Sequence, residues 1–267
     1  MLFQIKAYLK FLWHSKNEHA VHSPFVFNLL TKCFYDKKAK CFYDKKAKSE
    51  YAILKKYRKS LLGNKNFIEV TDFGAGSRVF KSNRRQISKI AQTAGISPKR
   101  AELLFRVTHY FQPQNILEIG TSLGLATSAL ALGNPKAKVI TIEGCPNTAG
   151  IAQNQLTDFD CKNVENVVSE FESFLISENI QATNYNLIYF DGNHSKKATL
   201  EYFELLLPTI DNDSVWIFDD IHWSEDMEEA WEIIKNHPQV KVTIDTFQWG
   251  FVFFRYEQPK QHFIIRT

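Results

Sequence analysis

From Pro113 onward, short apolar runs alternate with amphipathic stretches of helical period, and this alternation constrains the fold more than any other feature of the chain. The runs Asn115–Ile119, Lys138–Ile142, Val164–Val168, Asn186–Phe190 and Ser214–Phe218 have the length of strands. Between them lie Leu123–Leu132, Thr148–Phe159, Phe171–Glu178 and Lys196–Leu207, which have helical period. Repeated strand–helix–strand units require crossover connections, so the pattern predicts a parallel sheet with helices on both faces. A further helix, Ser224–Asn236, follows the fifth strand. The runs Val240–Thr246 and Phe251–Tyr256 come next, separated only by Phe247–Gly250. A turn that short makes them an antiparallel hairpin. The expectation is an open α/β sheet of seven strands, mostly parallel, with a C-terminal antiparallel hairpin. Hydrophobic residues form 44% of the 267, enough to fill the core such a sheet needs.

The first 112 residues follow another pattern. Leu2, Ile5, Leu9, Leu12 and Trp13 recur at helical spacing, and Ser23-Pro24 reads as an N-cap and first-turn proline opening a helix over Phe25–Thr31. Residues 1–62 are therefore read as a helical N-terminal extension. They hold 14 Lys and Arg against 4 Asp and Glu, whereas the other 205 residues hold 19 against 25. A basic front of this kind is a solvated helical face, or a surface for nucleic acid or anionic lipid. The octapeptide KCFYDKKA occurs twice in tandem, at Lys32–Ala39 and Lys40–Ala47. Eight residues turn a helix by about 800°, so the copies share no face, and the repeat reads as a local duplication. Residues 63–112 form a helical cap, with helices at Ile87–Ala94 and Pro98–Tyr110 and a glycine loop at Asp72–Ser77. That loop is either a turn or a cover over an active site. Residues 113–267 form the sheet domain.

Cys33, Cys41, Cys145 and Cys161 make no CxxC pair, as expected of reduced thiols in a cytoplasmic protein. Lys6 and Lys10 interrupt the first apolar run and no small-residue cleavage site follows, unlike a secretory signal. No run of 18 apolar residues exists, so no transmembrane segment is expected. Weak peripheral membrane contact and a homodimer through the helical N-terminal unit remain compatible with the sequence.

In an open α/β sheet, ligands bind beyond the carboxyl ends of the strands. The first strand ends in Glu118-Ile119-Gly120-Thr121-Ser122-Leu123-Gly124. Gly120 permits a tight turn and close backbone approach, and Gly124 lets the next helix pack near the strand. Gly-x-x-x-Gly carries meaning here because it follows an apolar strand and opens a helix. Glu143, at the end of the second strand, can accept hydrogen bonds from both hydroxyls of a ribose. A nicotinamide dinucleotide would want a glycine where Ser122 stands. A ligand with a charged amino-acid end and a sulfonium suits Glu118, two residues before the first glycine.

These residues, ILEIGTSLG followed by Glu143, resemble the catechol O-methyltransferase-like branch of class I S-adenosylmethionine (SAM) methyltransferases, over roughly residues 100–256. The resemblance implies a Rossmann-like class I methyltransferase sheet and SAM as cofactor. It implies that Glu118, Gly120 and Ser122 hold the methionine part and Glu143 the ribose, with Thr121 and Gly124 also among the cofactor-binding residues. Glu170 and Phe171, after the third strand, would lie beside the adenine. The chain also resembles, nearly end to end, bacterial SAM methyltransferases of unassigned substrate that carry HSPF and GAGSR segments, here His22–Phe25 and Gly74–Arg78.

Strand four ends in Phe190-Asp191-Gly192-Asn193-His194, and strand five in Phe218-Asp219-Asp220-Ile221-His222-Trp223. Converging carboxylates are costly unless neutralised, and a hard divalent cation bound by oxygen is one solution. The resembled metal-dependent enzymes use an Asp after strand four and an Asp-Asn pair after strand five. Asp191 and Asp219 match, and Asp220 replaces the Asn, so Mg²⁺ on Asp191, Asp219 and Asp220 and a metal-free site both stay open. Asp191 also counts among the expected cofactor contacts. His194 stands where the resembled enzymes carry a basic lysine, and a neutral imidazole can take a hydroxyl proton. His194 and Asp191 are thus the expected catalytic pair, with His222 a second candidate base. The expected activity is in-line methyl transfer to a hydroxyl of a small-molecule acceptor. An RNA or protein methyltransferase and a non-catalytic SAM-fold binding module are the alternatives; no NPPY-like or DPPY-like tetrapeptide follows strand four, which speaks against amino-group methylation of bases.

Overall fold

The computed structural model describes residues 2–35, 46–71 and 80–267. Helix α1 (Leu2–His14) is followed by α2 (Pro24–Leu29), which runs into a π-helical turn at Leu30–Phe34, and by α3 (Lys46–Gly63). Strands β1 (Phe67–Glu69) and β2 (Arg84–Gln86) precede α4 (Ile87–Thr93) and α5 (Pro98–Phe111). Then come β3 (Asn115–Ile119), α6 (Leu125–Gly133), β4 (Lys138–Glu143), α7 (Pro146–Asp158), β5 (Val164–Val168), α8 (Phe171–Leu175) and α9 (Glu178–Gln181). The remainder is β6 (Leu187–Phe190), α10 (Lys196–Leu206), β7 (Val215–Asp219), α11 (Glu225–Asn236), β8 (Val242–Asp245), β9 (Trp249–Phe253) and β10 (Gln261–Ile264). Among the described residues, no helix is long and apolar enough to cross a membrane. Cys33, Cys145 and Cys161 are buried free thiols; Cys41 and the glycine loop Asp72–Ser77 lie outside the described residues, as does most of the second octapeptide.

The chain divides into two compact units. In Asn28–Phe171, β3 pairs in parallel with β4, and β4 with β5. Ile116, Leu117 and Ile119 of β3 and Val139 and Ile142 of β4 are fully or almost fully buried. Helix α6 is buried along nearly its whole length because it is built from Ala, Leu, Ser and Thr, which let it approach closely. Arg106, buried in α5, is satisfied by the carbonyls of Cys33 (2.8 Å) and Phe34 (3.1 Å) at the end of the π-helical turn. A buried guanidinium needs such acceptors, and here it ties that turn to α5. The pair β1–β2 is antiparallel and brackets residues 72–79. This strand pair was not expected from the helical reading of residues 63–112; each strand is three residues long, too short to show a period.

The other unit comprises Met1–Phe27 and Glu172–Thr267. Its strands run β6–β7–β9–β8–β10, with β6–β7 parallel, β9 antiparallel to both β7 and β8, and β10 parallel to β8. The expected hairpin is present, and its second strand starts at Trp249 rather than Phe251 because every residue of Trp249–Phe253 is buried. Strand β10 raises the number of sheet strands from the expected seven to eight. Its core is an aromatic lattice: Phe190 stacks on Phe218 at 4.2 Å, and Phe203 and Phe254 meet Trp216 edge-on. Gly250 belongs to this packing. A Cβ there would stand 2.6–2.9 Å from three ring atoms of Trp231, itself buried in α11. An indole wedged in a core cannot swing aside, so Gly250→Ala is expected to cost about 1–3 kcal/mol. Urea denaturation would show this as a lower midpoint at unchanged slope.

Candidate functional site

In the unit holding β3, the chain leaves the strand through a turn with three positive φ angles: Gly120 at 103°, Ser122 at 48° and Gly124 at 76°. Gly120 and Thr121 donate their N–H groups to the Ile142 carbonyl on β4, at 3.0 and 3.1 Å. Ser122 N–H donates to Glu143 Oε2 at 2.8 Å, and Cys145 N–H to Glu143 Oε1 at 2.9 Å. The carboxylate at the end of β4 therefore clamps the glycine turn to the start of α7. Gly124 could carry no side chain: besides its φ, a Cβ would lie 2.4 Å from the Tyr57 hydroxyl, which donates to the Leu123 carbonyl at 3.0 Å.

Glu118 is wholly buried at the penultimate position of β3. Thr127 on α6 and Thr141 on β4 both donate to its Oε2 at 2.5 Å, and Thr141 also meets Thr121 at 2.6 Å. Its Oε1 is buried with no hydrogen-bond partner among the described residues. Burial raises the carboxyl from an ordinary 4.5 to about 8, the two threonines oppose the rise, and Glu143 adds to it. An orphaned buried carboxylate oxygen is a feature that a cationic ligand group would relieve. Glu170 is exposed after β5, and Phe171 opens α8 half-buried.

The other unit carries the second group of expected residues. Asp191 directly follows β6, and His194 Nε2 stands 3.6 Å from Asp191 Oδ1, both partly accessible. That distance is electrostatic contact rather than a hydrogen bond. Asn193 takes φ 50°, and Ser195 caps α10 by accepting from Ala198 N–H, which fixes the turn holding His194. Asp219 ends β7 almost fully buried; it accepts from the Tyr189 hydroxyl at 3.0 Å and from Asp220 N–H at 2.8 Å. Asp220 takes φ 55°. His222 stacks on Phe247 and lies 2.8 Å from Asp245 and 3.6 Å from Glu228. Burial opposes its charging, but the two carboxylates together outweigh it and raise its pKa. His222 is thus an ion-paired histidine packed under α1.

Among the described residues, no three His, Cys, Asp or Glu side chains are arranged to hold a metal ion. Asp191, Asp219 and Asp220 form no such group as they stand, and Mg²⁺ on them and a metal-free site both stay open. Each oxygen of Asp219 accepts one hydrogen bond, one across the β6–β7 pair and one from the next residue, which leaves each a further lone pair. The sequence reading did not single out Thr127, Thr141, Tyr57 or Tyr189. Only the two threonines left a signal, as polar residues inside otherwise apolar segments.

Residues 117–221 match the family model described as a methyltransferase domain. The chain has the Rossmann-like fold of class I methyltransferases. Solved structures agree with this fold. A SAH-bound methyltransferase from Podospora anserina superposes with a TM-score of 0.56 at 12% identity, over 82% of this chain and 97% of that one. An O-methyltransferase from Bacillus cereus, in complex with SAH, gives 0.53 at 19% identity, over 84% and 97%. A methyltransferase from Geobacter sulfurreducens gives 0.51 at 12%, over 63% and 84%. Within one unit β3, β4 and β5 pair in parallel, and within the other β6 and β7 are parallel and β8–β9 is the antiparallel hairpin.

Proposed function

We propose that this protein binds SAM at the glycine turn and transfers its methyl group to a hydroxyl of a small molecule. The observation that carries the reading is the turn itself: Gly120, Ser122 and Gly124 in left-handed conformations, clamped through Ser122 N–H by Glu143. The SAH-bound Podospora and Bacillus proteins of the same fold support it. In this reading Gly120, Thr121 and Ser122 offer backbone to the methionine part, and Glu118 offers it the Oε1 that has no partner among the described residues. Glu143 keeps lone pairs for the ribose while holding the turn, and Glu170 and Phe171 flank the adenine. When bound, SAM supplies a methyl group on a sulfonium, whose departure leaves a neutral thioether.

His194 takes the acceptor's hydroxyl proton as the oxygen's electron pair forms the new carbon–oxygen bond, and that proton stays on the imidazole. Asp191, 3.6 Å away, stabilises the imidazolium so formed. Orientation of the two reactants contributes the rest of the acceleration. Were Mg²⁺ bound, Asp191, Asp219 and Asp220 would hold it, and it would acidify the acceptor hydroxyl.

Calorimetric titration with S-adenosylhomocysteine tests the first half, and absence of binding would overturn it. Glu143→Ala removes the acceptor for two backbone N–H groups and is expected to weaken that binding about 10–100-fold. The second half is read by incubating the protein with methyl-labelled SAM and either phenolic and alcoholic small molecules, RNA or protein. Label confined to the macromolecules would reject the small-molecule acceptor.

A further inference from the structure

Helix α1 buries only Ala7 and Phe11, and its opposite face is apolar and open. Leu2, Ile5, Leu9 and Trp13 are 69%, 53%, 61% and 87% exposed. At positions i, i+3, i+7 and i+11 they form one stripe, roughly 16 Å long at the helical rise. Single exposed leucines are ordinary, but four large apolar side chains in line, ending in a nearly bare tryptophan, mark a contact surface.

The charges beside the stripe say what it contacts. Residues 2–17 include Lys6, Lys10 and Lys16 and no Asp or Glu. Lys6 borders the stripe, being four positions from Leu2 and three from Leu9. At the carboxyl end of α1, a groove of about 370 Å³ that includes Lys16 has no carboxylate in its lining. Lys10 is held by Glu228 at 3.3 Å, so Lys6 is the cation beside the stripe, and pairing two copies through it would set Lys6 of one against Lys6 of the other. An anionic bilayer surface supplies both what the stripe lacks and what it offers: acyl chains for Leu2, Ile5 and Leu9, an interface for Trp13, and negative headgroups for the lysines.

We infer that α1 is a membrane-surface anchor that docks the protein on anionic lipid through Leu2, Ile5, Leu9 and Trp13. The anchor is reversible, because about three amphipathic turns of contact without a lipid chain give modest affinity. It is separate from the methyl-transfer reading.

The test uses the full chain and co-sedimentation with phosphatidylcholine vesicles, with or without phosphatidylserine. Wild type is expected on the serine-lipid vesicles and not on the neutral ones, with binding that falls as salt rises. Leu9→Ser with Trp13→Ser is expected to reduce binding at least about tenfold, and Lys6→Glu at least about fivefold. These side chains are exposed, so the variants should fold, and unchanged S-adenosylhomocysteine affinity and thermal melting would verify it. Quenching of wild-type tryptophan fluorescence by brominated lipid gives a reading that needs no variant. The inference is overturned if wild type ignores anionic vesicles or binds neutral ones equally. It is also overturned if the wild type is a dimer that the Leu9–Trp13 double substitution splits, since a second copy would then be the occupant.

Discussion

Replacing His194 with glutamine is expected to lower kcat by about 10²–10⁴-fold while leaving S-adenosylhomocysteine affinity within about twofold. Glutamine preserves size and a polar tip, and His194 sits in a turn fixed by Asn193 and the Ser195 cap rather than by its own ring. The fold therefore does not depend on the imidazole. Asp191→Asn should reduce kcat less, since Asp191 acts on the imidazolium across 3.6 Å and not on the acceptor. Equal kcat in wild type and His194→Gln would remove His194 as the base.

The second large effect concerns Glu118 and stability. Its carboxyl stands near 8 in the folded protein because burial disfavours its charge. The unfolded chain releases that proton near the ordinary carboxylate value. Between those two values the folded state holds the extra proton, so stability falls as pH rises from about 4.5 to about 8, and is flat outside that window. The loss has an upper bound of roughly 5 kcal/mol. Glu118→Gln keeps an oxygen for Thr127 and Thr141 and cannot ionise. The difference in unfolding free energy between variant and wild type should therefore grow in favour of the variant across this window. A difference that does not change with pH would show that Glu118 is ionised in the fold throughout.

These two residues illustrate what could be read from sequence. His194 and Asp191 are three positions apart, directly after a strand, so local chain geometry alone makes them neighbours. The turn from Glu118 to Gly124 was legible for the same reason: strand, glycine and helix follow one another in the chain. What Glu118 meets was not legible, because Thr127 and Thr141 arrive from α6 and β4, nine and 23 positions away. Asp219 is the sharper case. The resemblance offered it as a metal ligand, while its hydrogen bond from Tyr189, 30 positions earlier and on the neighbouring strand, left no sign in the sequence. Among elements, the regular β3–β7 series was evident from its apolar runs. Strand β10 was not, since Gln261–Ile264 has two polar residues in four, is only half-buried, and forms through its parallel partner β8. The expected helix over Phe171–Glu178 breaks into α8 and α9 for lack of a continuous buried face.

The way α1 is fastened has a consequence for how the protein is made. Its contacts are remote in the chain: Lys10 pairs with Glu228, 218 positions later, Phe11 meets Phe247, and Lys16 N–H donates to the Ile264 carbonyl of β10. At ordinary translation speeds, roughly 10–40 s separate synthesis of Lys10 from that of Glu228. Helix α1 thus leaves the ribosome well before the segments that seat it. Until then both its faces, the one that will be buried by Ala7 and Phe11 and the one carrying Trp13, are open to whatever the nascent chain meets.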